Sequence, residues 1–458
     1  MARPLYNPKA RDSRFWNPYT QTLPRRQLDE IHLRKIQLLI KYAYDRTSFY
    51  RKLYDQAGFK PEDIRTWDDF YHKVPLIDKT DLVQDQATQG WAAAALPDEY
   101  VFHQFQTGGT TGTPMKLAFP LFDVMRFGEE HAFGLWNCGL RPGDSIFFCF
   151  HWGMWVGLWT VYWTARRIGC TVLSGGGMSS QERIKQVLAL KPTAIVGTPT
   201  YLLHLVHVAR EMGLELREAE VKYLIGGGEP GFSIPSTREA TRQGWGDPIP
   251  IDCYGISEVG VVNCECQAHA LGVHCIEDGA HSYSINPETG ERVAEGEVGE
   301  NIITSYNRLS QPVINYRTHD LVERHHEFDH GCGWTWAFLA GGVLGRTDYM
   351  VVIRGINVYP TAVESLLSKV EGTTNYYELH ITRENGMDRM KVVVEASPDV
   401  PAEKYVEIST GAERLYASSL GVKLEVEVVG PKTLPRYETK SKRLFDHRPA
   451  EIRRKLER

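Results

Sequence analysis

The sequence predicts an α/β protein with a large N-terminal domain of parallel α/β sheets and a small α+β domain at the C-terminus. Three observations predict it. Short apolar runs alternate with helical periodicities from about residue 144 to 255. A strand-rich stretch follows at about 282–340, and beyond residue 348 the pattern restarts as helix, hairpin, helix and strand. A chain of 458 residues is too long for one ordinary core. The expected division is 1–347, with a β subdomain at about 282–340, and 348–458.

The first hundred residues read mainly as helices, since "QLDEIHLRKIQLLIKYAYDRT" (27–47) repeats Leu, Ile and Tyr at three- and four-residue spacing. "DSIFFCF", "CTVLSGG", "TAIVGTP", "KYLIGGGEP" and "IPIDCYG" read as strands. "QERIKQVLALKP" and "TYLLHLVHVAREMG" read as intervening helices, and "WGMWVGLWTVYW" (152–163) reads as a buried aromatic helix or a binding wall. "GENIITSY", "PVINYRTHDLVER" and "WTWAFL" carry the strand-rich section. In the last unit the helix "TAVESLLSKV" precedes the hairpin "YYELHITRENGMDRMKVVVEA", whose Asn385-Gly386 is a strong turn signal, and the strand "KLEVEVV" closes a ferredoxin-like pattern.

Composition narrows the partners. Fifty-two basic residues against 57 acidic ones leave a net charge of −5, which gives no reason to expect nucleic acid or an anionic membrane. The aromatic run falls short of the roughly 20 apolar residues of a membrane span. "MARPLYNPKARDSRFW" has no apolar core of a secretory signal, and eight cysteines in a chain this long are no disulfide framework, so a cytoplasmic location is expected.

The chemistry concentrates in a few stretches. "TGGTTGTP" (107–114) supplies backbone N–H groups and hydroxyls able to cradle an anion, and it lacks the Lys-Ser/Thr pair of a Walker loop. Taken alone, a polar hairpin turn explains it equally well. "IDCYGISEVG" (251–260) follows a predicted parallel strand, where ligands bind at the carboxyl end. Tyr254 suits a nucleobase and Glu258 a magnesium ion, although Ser257-Glu258 also suits a helix start. Asp320 suits the two hydroxyls of a ribose or a turn, Arg346 a phosphate, and Lys440 either chemistry or a solvated charge.

In their order and spacing, "TGGTTGTP", "GGGEP", "DCYGISE", "YRTHD", "GRTDYMVVIRGINVYP" and "LPRYETKSKR" resemble the acyl-adenylate-forming superfamily, and more closely its phenylacetate–coenzyme A ligase branch. The resemblance covers nearly the whole chain. It implies an AMP-forming acid–thiol ligase using ATP, magnesium and coenzyme A, with a mobile C-terminal domain that takes one pose per half-reaction. It also implies roles. Thr107, Gly108, Gly109, Thr110, Thr111 and Gly112 would cradle phosphate; Glu258 would hold magnesium. Lys440 would bridge the acid and the α-phosphate. Gly226, Gly227, Gly228, Glu229, Asp252, Tyr254, Gly255, Ser257, Asp320 and Arg346 would bind the nucleotide. Asp348 matches the hinge, and Gly355 the coenzyme A tunnel. Two departures stand out: Thr113 where a lysine is common, and Thr439 where a glycine usually precedes the lysine. The resemblance also admits a homodimer.

By the same resemblance the aryl-contacting segment is 150–155, with Phe150, Trp152 and Trp155. Gly228 and Gly231 stand where relatives carry Ala and Trp. Two missing side chains would widen the acid cavity, so a bicyclic acid such as indoleacetate is expected beside phenylacetate. "CECQAHALGVHC" (264–275) and "HHEFDHGCGW" (325–334) hold thiols and imidazoles. Cys266, His274, His330 and Cys332 would form a Cys₂His₂ set for structural zinc, with Cys264 or His269 as substitutes; ordinary reduced cysteines and surface histidines are the alternative. Two other functions remain open: loading a phosphopantetheinyl carrier protein, and nucleotide sensing without catalysis.

Overall fold

A computed structural model describes residues 12–107, 113–229, 231–326, 331–347, 351–353, 356–358, 360–384, 387–436 and 443–448. Five helices come first: α1 (Pro18–Gln21), α2 (Arg25–Arg46), α3 (Ser48–Ala57), α4 (Trp67–Lys73) and α5 (Lys79–Gln89). Sharp starts on α4 and α5 come from Thr66 and Asp78, each closing a reciprocal capping box three residues on. A hairpin of β1 (His103–Gln106) and β2 (Lys116–Phe119) then presents the Gly-Thr loop.

Helix α6 (Leu121–Asn137) has no clear sequence signal, because Gly128 and Gly134 weaken its helical character. The glycines are there for packing. A Cβ on Gly134 would overlap Cys264, and one on Gly128 would sit 3.1 Å from the Trp163 carbonyl oxygen. The alternation after residue 144 is as expected: β3 (Ser145–Phe148), α7 (Val156–Ile168), β4 (Thr171–Ser174), α8 (Ser180–Leu190), β5 (Ala194–Gly197), α9 (Pro199–Glu211), β6 (Tyr223–Gly227), α10 (Pro235–Gly244) and β7 (Ile249–Ile256). Ile146 and Phe148 point into the core under α6 and α7, while Phe147 and Cys149 point into the core under α8 and α9. Both faces of these parallel strands are therefore covered.

The strands β8 (Gly260–Cys266), β9 (His269–Cys275), β10 (Ala280–Ile285), β11 (Val298–Ser305), β12 (Tyr316–His325) and β13 (Phe338–Arg346) correct the expected β subdomain. They extend the same sheet, which among the described residues has 11 strands in the order β10-β11-β12-β13-β9-β8-β7-β6-β5-β3-β4. The reason is the hairpin at β7–β8: Cys253 pairs with Cys264 in antiparallel register, so the ladder continues without an edge. A second correction concerns the aromatic run. Its helix starts at Val156, which leaves residues 152–155 in the turn after β3.

The C-terminal unit has its own core. It comprises the small pair β14 (Val351–Ile353) and β15 (Ile356–Val358), α11 (Pro360–Leu367), β16 (Thr373–Glu384), β17 (Met387–Ala396), α12 (Tyr405–Leu420), β18 (Glu425–Val429) and β19 (Leu444–Asp446). Its four-stranded sheet has the order β18-β17-β16-β19, with the outer strands parallel to their neighbours. Among the described residues no helix is long and apolar enough to cross a membrane.

Candidate active site

The parallel strands end together. Phe148 pairs with Val196, Gly197 with Gly226 and Gly227 with Cys253, so the segments leaving β3, β5 and β6 meet beside the middle of β7. This carboxyl edge is where α/β sheets hold ligands. Glycines let backbone and rings approach there. Gly228 has φ of +86°, and a Cβ on it would lie 3.1 Å from the Trp155 ring and 4.0 Å from Thr198. Glu229 turns its side chain to the start of α9, accepting from the Thr200 backbone N–H at 2.7 Å and the Thr200 hydroxyl at 2.5 Å.

The polar group of the site comes from four strands. Tyr254 on β7 donates its hydroxyl to Asp320 at 2.6 Å, and Arg346 donates to the other Asp320 oxygen at 2.8 Å. Asp320 and Arg346 face each other in the β12–β13 ladder. Asn301 on β11 adds a donor to the Tyr254 oxygen at 3.4 Å. Burial, and then the Asp320 carboxylate, raise Tyr254 well above the ordinary phenol range, so it stays a hydroxyl donor. Arg346, expected on a phosphate, is seated on Asp320.

Glu258 lies in the tight turn between β7 and β8, where the Val259 N–H donates to the Ile256 carbonyl at 3.2 Å; Ser257 shares that turn, so no helix starts here. Glu258 is buried and hydrogen-bonded to the Tyr316 hydroxyl. Gly255 makes the same turn possible, since a Cβ would overlap the Gly260 carbonyl. Thr107 is the neck of the Gly-Thr loop: its N–H donates to the Met115 carbonyl at 3.0 Å and its hydroxyl accepts the Met115 N–H at 3.1 Å. Gly108, Gly109, Thr110, Thr111, Gly112, Asp348, Gly355, His330 and Lys440 lie outside the described residues.

Asp252 is buried beneath this site. Its N–H donates to Glu265 at 2.9 Å, and Glu265 is paired with Arg238 of α10 at 3.0 Å. Burial and the neighbouring Glu265 push the Asp252 carboxyl up to about 7. Residue His319, absent from the sequence-based site, precedes Asp320 with φ of +62°, a left-handed conformation unusual for a side chain of this size. The Thr347 hydroxyl at 3.2 Å and buried Glu300 at 3.3 Å hold its ring. A histidine gave no glycine-like turn signal, so the bend that presents Asp320 was not legible.

The aromatic wall is present, but the expected widening is not. Phe150 and Trp155 have ring centroids 5.2 Å apart, and Trp152 donates its indole N–H to Ser174 at 2.7 Å. The Gln106 N–H bonds the Met154 carbonyl at 3.1 Å, tying this wall to β1. A side chain on Gly231 would overlap Pro199, and the space beside Gly228 is taken by Trp155. The volume given up by the two glycines is thus filled from within.

Cys266, His274 and Cys332 form a buried group whose ligand atoms lie within 4.8 Å of one another. The cluster joins β8, β9 and the segment before β13, and Cys332 Sγ lies 3.3 Å from His274 Nε2. Cys264 belongs elsewhere, 3.5 Å from Cys253 and 4.0 Å from Cys138. His269 pairs with Cys266 across the β8–β9 ladder.

This fold and carboxyl-edge site define an adenylate-forming enzyme of the acid–thiol ligase type. Residues 21–309 match the AMP-binding enzyme model and 355–448 the AMP-binding enzyme C-terminal domain model. The chain belongs to the AMP-binding enzyme family. It is 31% identical to a phenylacetate-coenzyme A ligase of Thermus thermophilus, over 95% of this chain and 100% of that one. It is 28% identical to the Escherichia coli protein of the same name, over 92% and 95%. Among solved structures it is similar to 2-hydroxyisobutyryl-CoA ligase. In the postadenylation state with R3-HIB-AMP, that protein gives a TM-score of 0.91 at 30% identity, covering 100% of this chain and 97% of the other. In the thioesterification state it gives 0.74, covering 100% and 98%. The postadenylation state thus superposes on this chain more closely than the thioesterification state.

Proposed function

We propose that the chain converts an arylacetic acid to its coenzyme A thioester through an acyl-adenylate. The observation carrying this is the Tyr254–Asp320–Arg346 group, assembled beside converging glycine-rich strand ends. One carboxylate oxygen of the acid attacks the α-phosphorus of ATP and pyrophosphate leaves; the thiol then attacks the acyl carbon and AMP leaves. Asp320 would take the ribose hydroxyls, its carboxylate aligned by Tyr254 and Arg346. Alignment and charge stabilisation are the main demands on such a site. Thr107, bonded to Met115, fixes where the chain enters the Gly-Thr segment that would bind the departing pyrophosphate. The hard carboxylate of Glu258 fits magnesium, which when bound would screen the phosphate charge.

The acid pocket favours a monocyclic ring in this arrangement. Phenylacetate supports the reading through the names of the relatives, whereas a bicyclic acid needs Trp155 to leave the face of Gly228. The test is a panel of aryl and aliphatic acids scored for AMP formation with coenzyme A, together with acid-dependent ATP–pyrophosphate exchange. Lys440→Ala should abolish the exchange and spare thioester formation from supplied acyl-adenylate. A chain showing no acid-dependent exchange with any acid is not this enzyme.

We also propose that Cys266, His274 and Cys332 hold a structural zinc ion. Two soft thiols and one imidazole, buried together, suit zinc better than a hard cation. Purified without chelators, the protein should carry about one zinc per chain, and His274→Ala should lose it and melt at lower temperature. Metal analysis finding none would end the proposal.

A further inference from the structure

The seam between α9 and the C-terminal unit carries a side-chain arrangement that the reaction chemistry does not use. His204 and His207 stand three apart on α9, on one face and half-buried. Opposite them, β16 carries an irregularity: Thr373 pairs with Ala396 and Tyr377 with Val394, leaving two extra residues on the β16 side. Such a bulge re-aims a side chain. Here it sends Tyr376 out of the sheet onto α9, its hydroxyl 3.3 Å from His204 Nδ1 and its ring centroid 5.8 Å from that of His207.

The outer face of Tyr376 is capped by Arg436, whose guanidinium carbon lies 3.5 Å from the ring centroid. Arg436 is held by Glu395 of β17 in a bidentate pair at 2.8 and 2.7 Å. Glu395 also accepts the backbone N–H groups of Lys432 and Leu434, at 3.1 and 2.7 Å. One buried carboxylate therefore shapes the whole of 432–436, and the sequence runs from there into the lysine segment four residues on. A second link spans the seam, Lys432 to Glu211 of α9 at 2.6 Å, but both ends are exposed and such pairs contribute little. A small cleft runs along the seam, lined by Thr200, His204 and His207 on one side and by Tyr376 and Leu434 on the other.

We propose that Tyr376 is a positioning residue: seated against α9 and capped by Arg436, it latches the C-terminal unit in the adenylate-forming arrangement. This rests on the ligase reading. The related 2-hydroxyisobutyryl-CoA ligase matches this chain better in its postadenylation state than in its thioesterification state, at TM-scores of 0.91 and 0.74, so the contact of Tyr376 with α9 goes with the first of these arrangements. The latch then favours the first half-reaction over the second.

Tyr376→Ala and Tyr376→Phe test it. The alanine variant should slow acid-dependent ATP–pyrophosphate exchange roughly tenfold, the scale of one hydrogen bond and one ring contact to α9 lost from a two-state balance. It should leave thioester formation from supplied acyl-adenylate unchanged or faster. The phenylalanine variant keeps the ring under Arg436 and should fall between. Small-angle scattering of the unliganded proteins reads the pose without turnover, and the alanine profile should move toward the other arrangement. Equal loss in both half-reactions with a lowered Tm, or an unchanged scattering profile, overturns the latch. Absence of exchange in the wild type with every acid overturns the ligase reading, and scattering still decides the latch.

Discussion

The two halves of the large sheet build the site in different ways. The parallel half, β3 to β7, contributes backbone: Gly226, Gly227 and Gly228 at a strand end, with few charges and rings close against the chain. The antiparallel half, β8 to β13, contributes charged side chains set by ladder register, with Asp320 facing Arg346 and His319 bent over Glu300. Glycine strand ends shape a space, whereas paired strands aim functional groups into it. The difference teaches that changes in the antiparallel half should act on charge and affinity, and changes in the parallel half on shape and selectivity.

The largest effect is expected at Asp320. Asp320→Ala removes the carboxylate that Tyr254 and Arg346 share, and kcat/KM for ATP should fall roughly 10²-fold or more, the scale of two charged hydrogen bonds. Retention of ATP affinity would place the nucleotide elsewhere. Next, Trp155→Ala should open the face of Gly228 and shift the kcat/KM ratio of bicyclic over monocyclic aryl acids upward by roughly tenfold. An unchanged ratio would remove Trp155 from the pocket.

The smallest effect lies under the site. Asp252 titrates at about 7 when folded, above its ordinary value of 3.8. A raised carboxyl favours the protonated folded form, so its contribution is fully present below pH 4 and is lost as pH rises through 7. Asp252→Asn should flatten that loss and be the more stable protein at pH 8, by ~1–4 kcal/mol. Denaturant melts at pH 5 and 8 measure the difference. A wild type as stable at pH 8 as at pH 5 would show that Arg238 already holds Asp252 charged at no cost, against burial and Glu265.

Much of this was readable in advance because it is local. Strand–helix alternation is a periodicity, and the Gly-Thr loop, Tyr254, Glu258 and Asp320 stand in contiguous motifs. The cysteine-histidine group was legible too, since Cys266, His274 and Cys332 are unusual residues in two short stretches. Helix α6 was hidden because its glycines serve Cys264 and Trp163, far along the chain. His319 was hidden because backbone conformation at one residue depends on Glu300 and Thr347 holding its ring.

The sequence by itself determined most of the elements, the family and the groups proposed to meet phosphate and ribose, since these depend on residue type and near neighbours. Only the tertiary structure decided that the β section continues one sheet, that Trp155 and Pro199 fill the space two glycines vacate, and that Tyr376 turns onto α9. Each of those depends on distances between residues remote in the chain, and spacing along a sequence carries no such information.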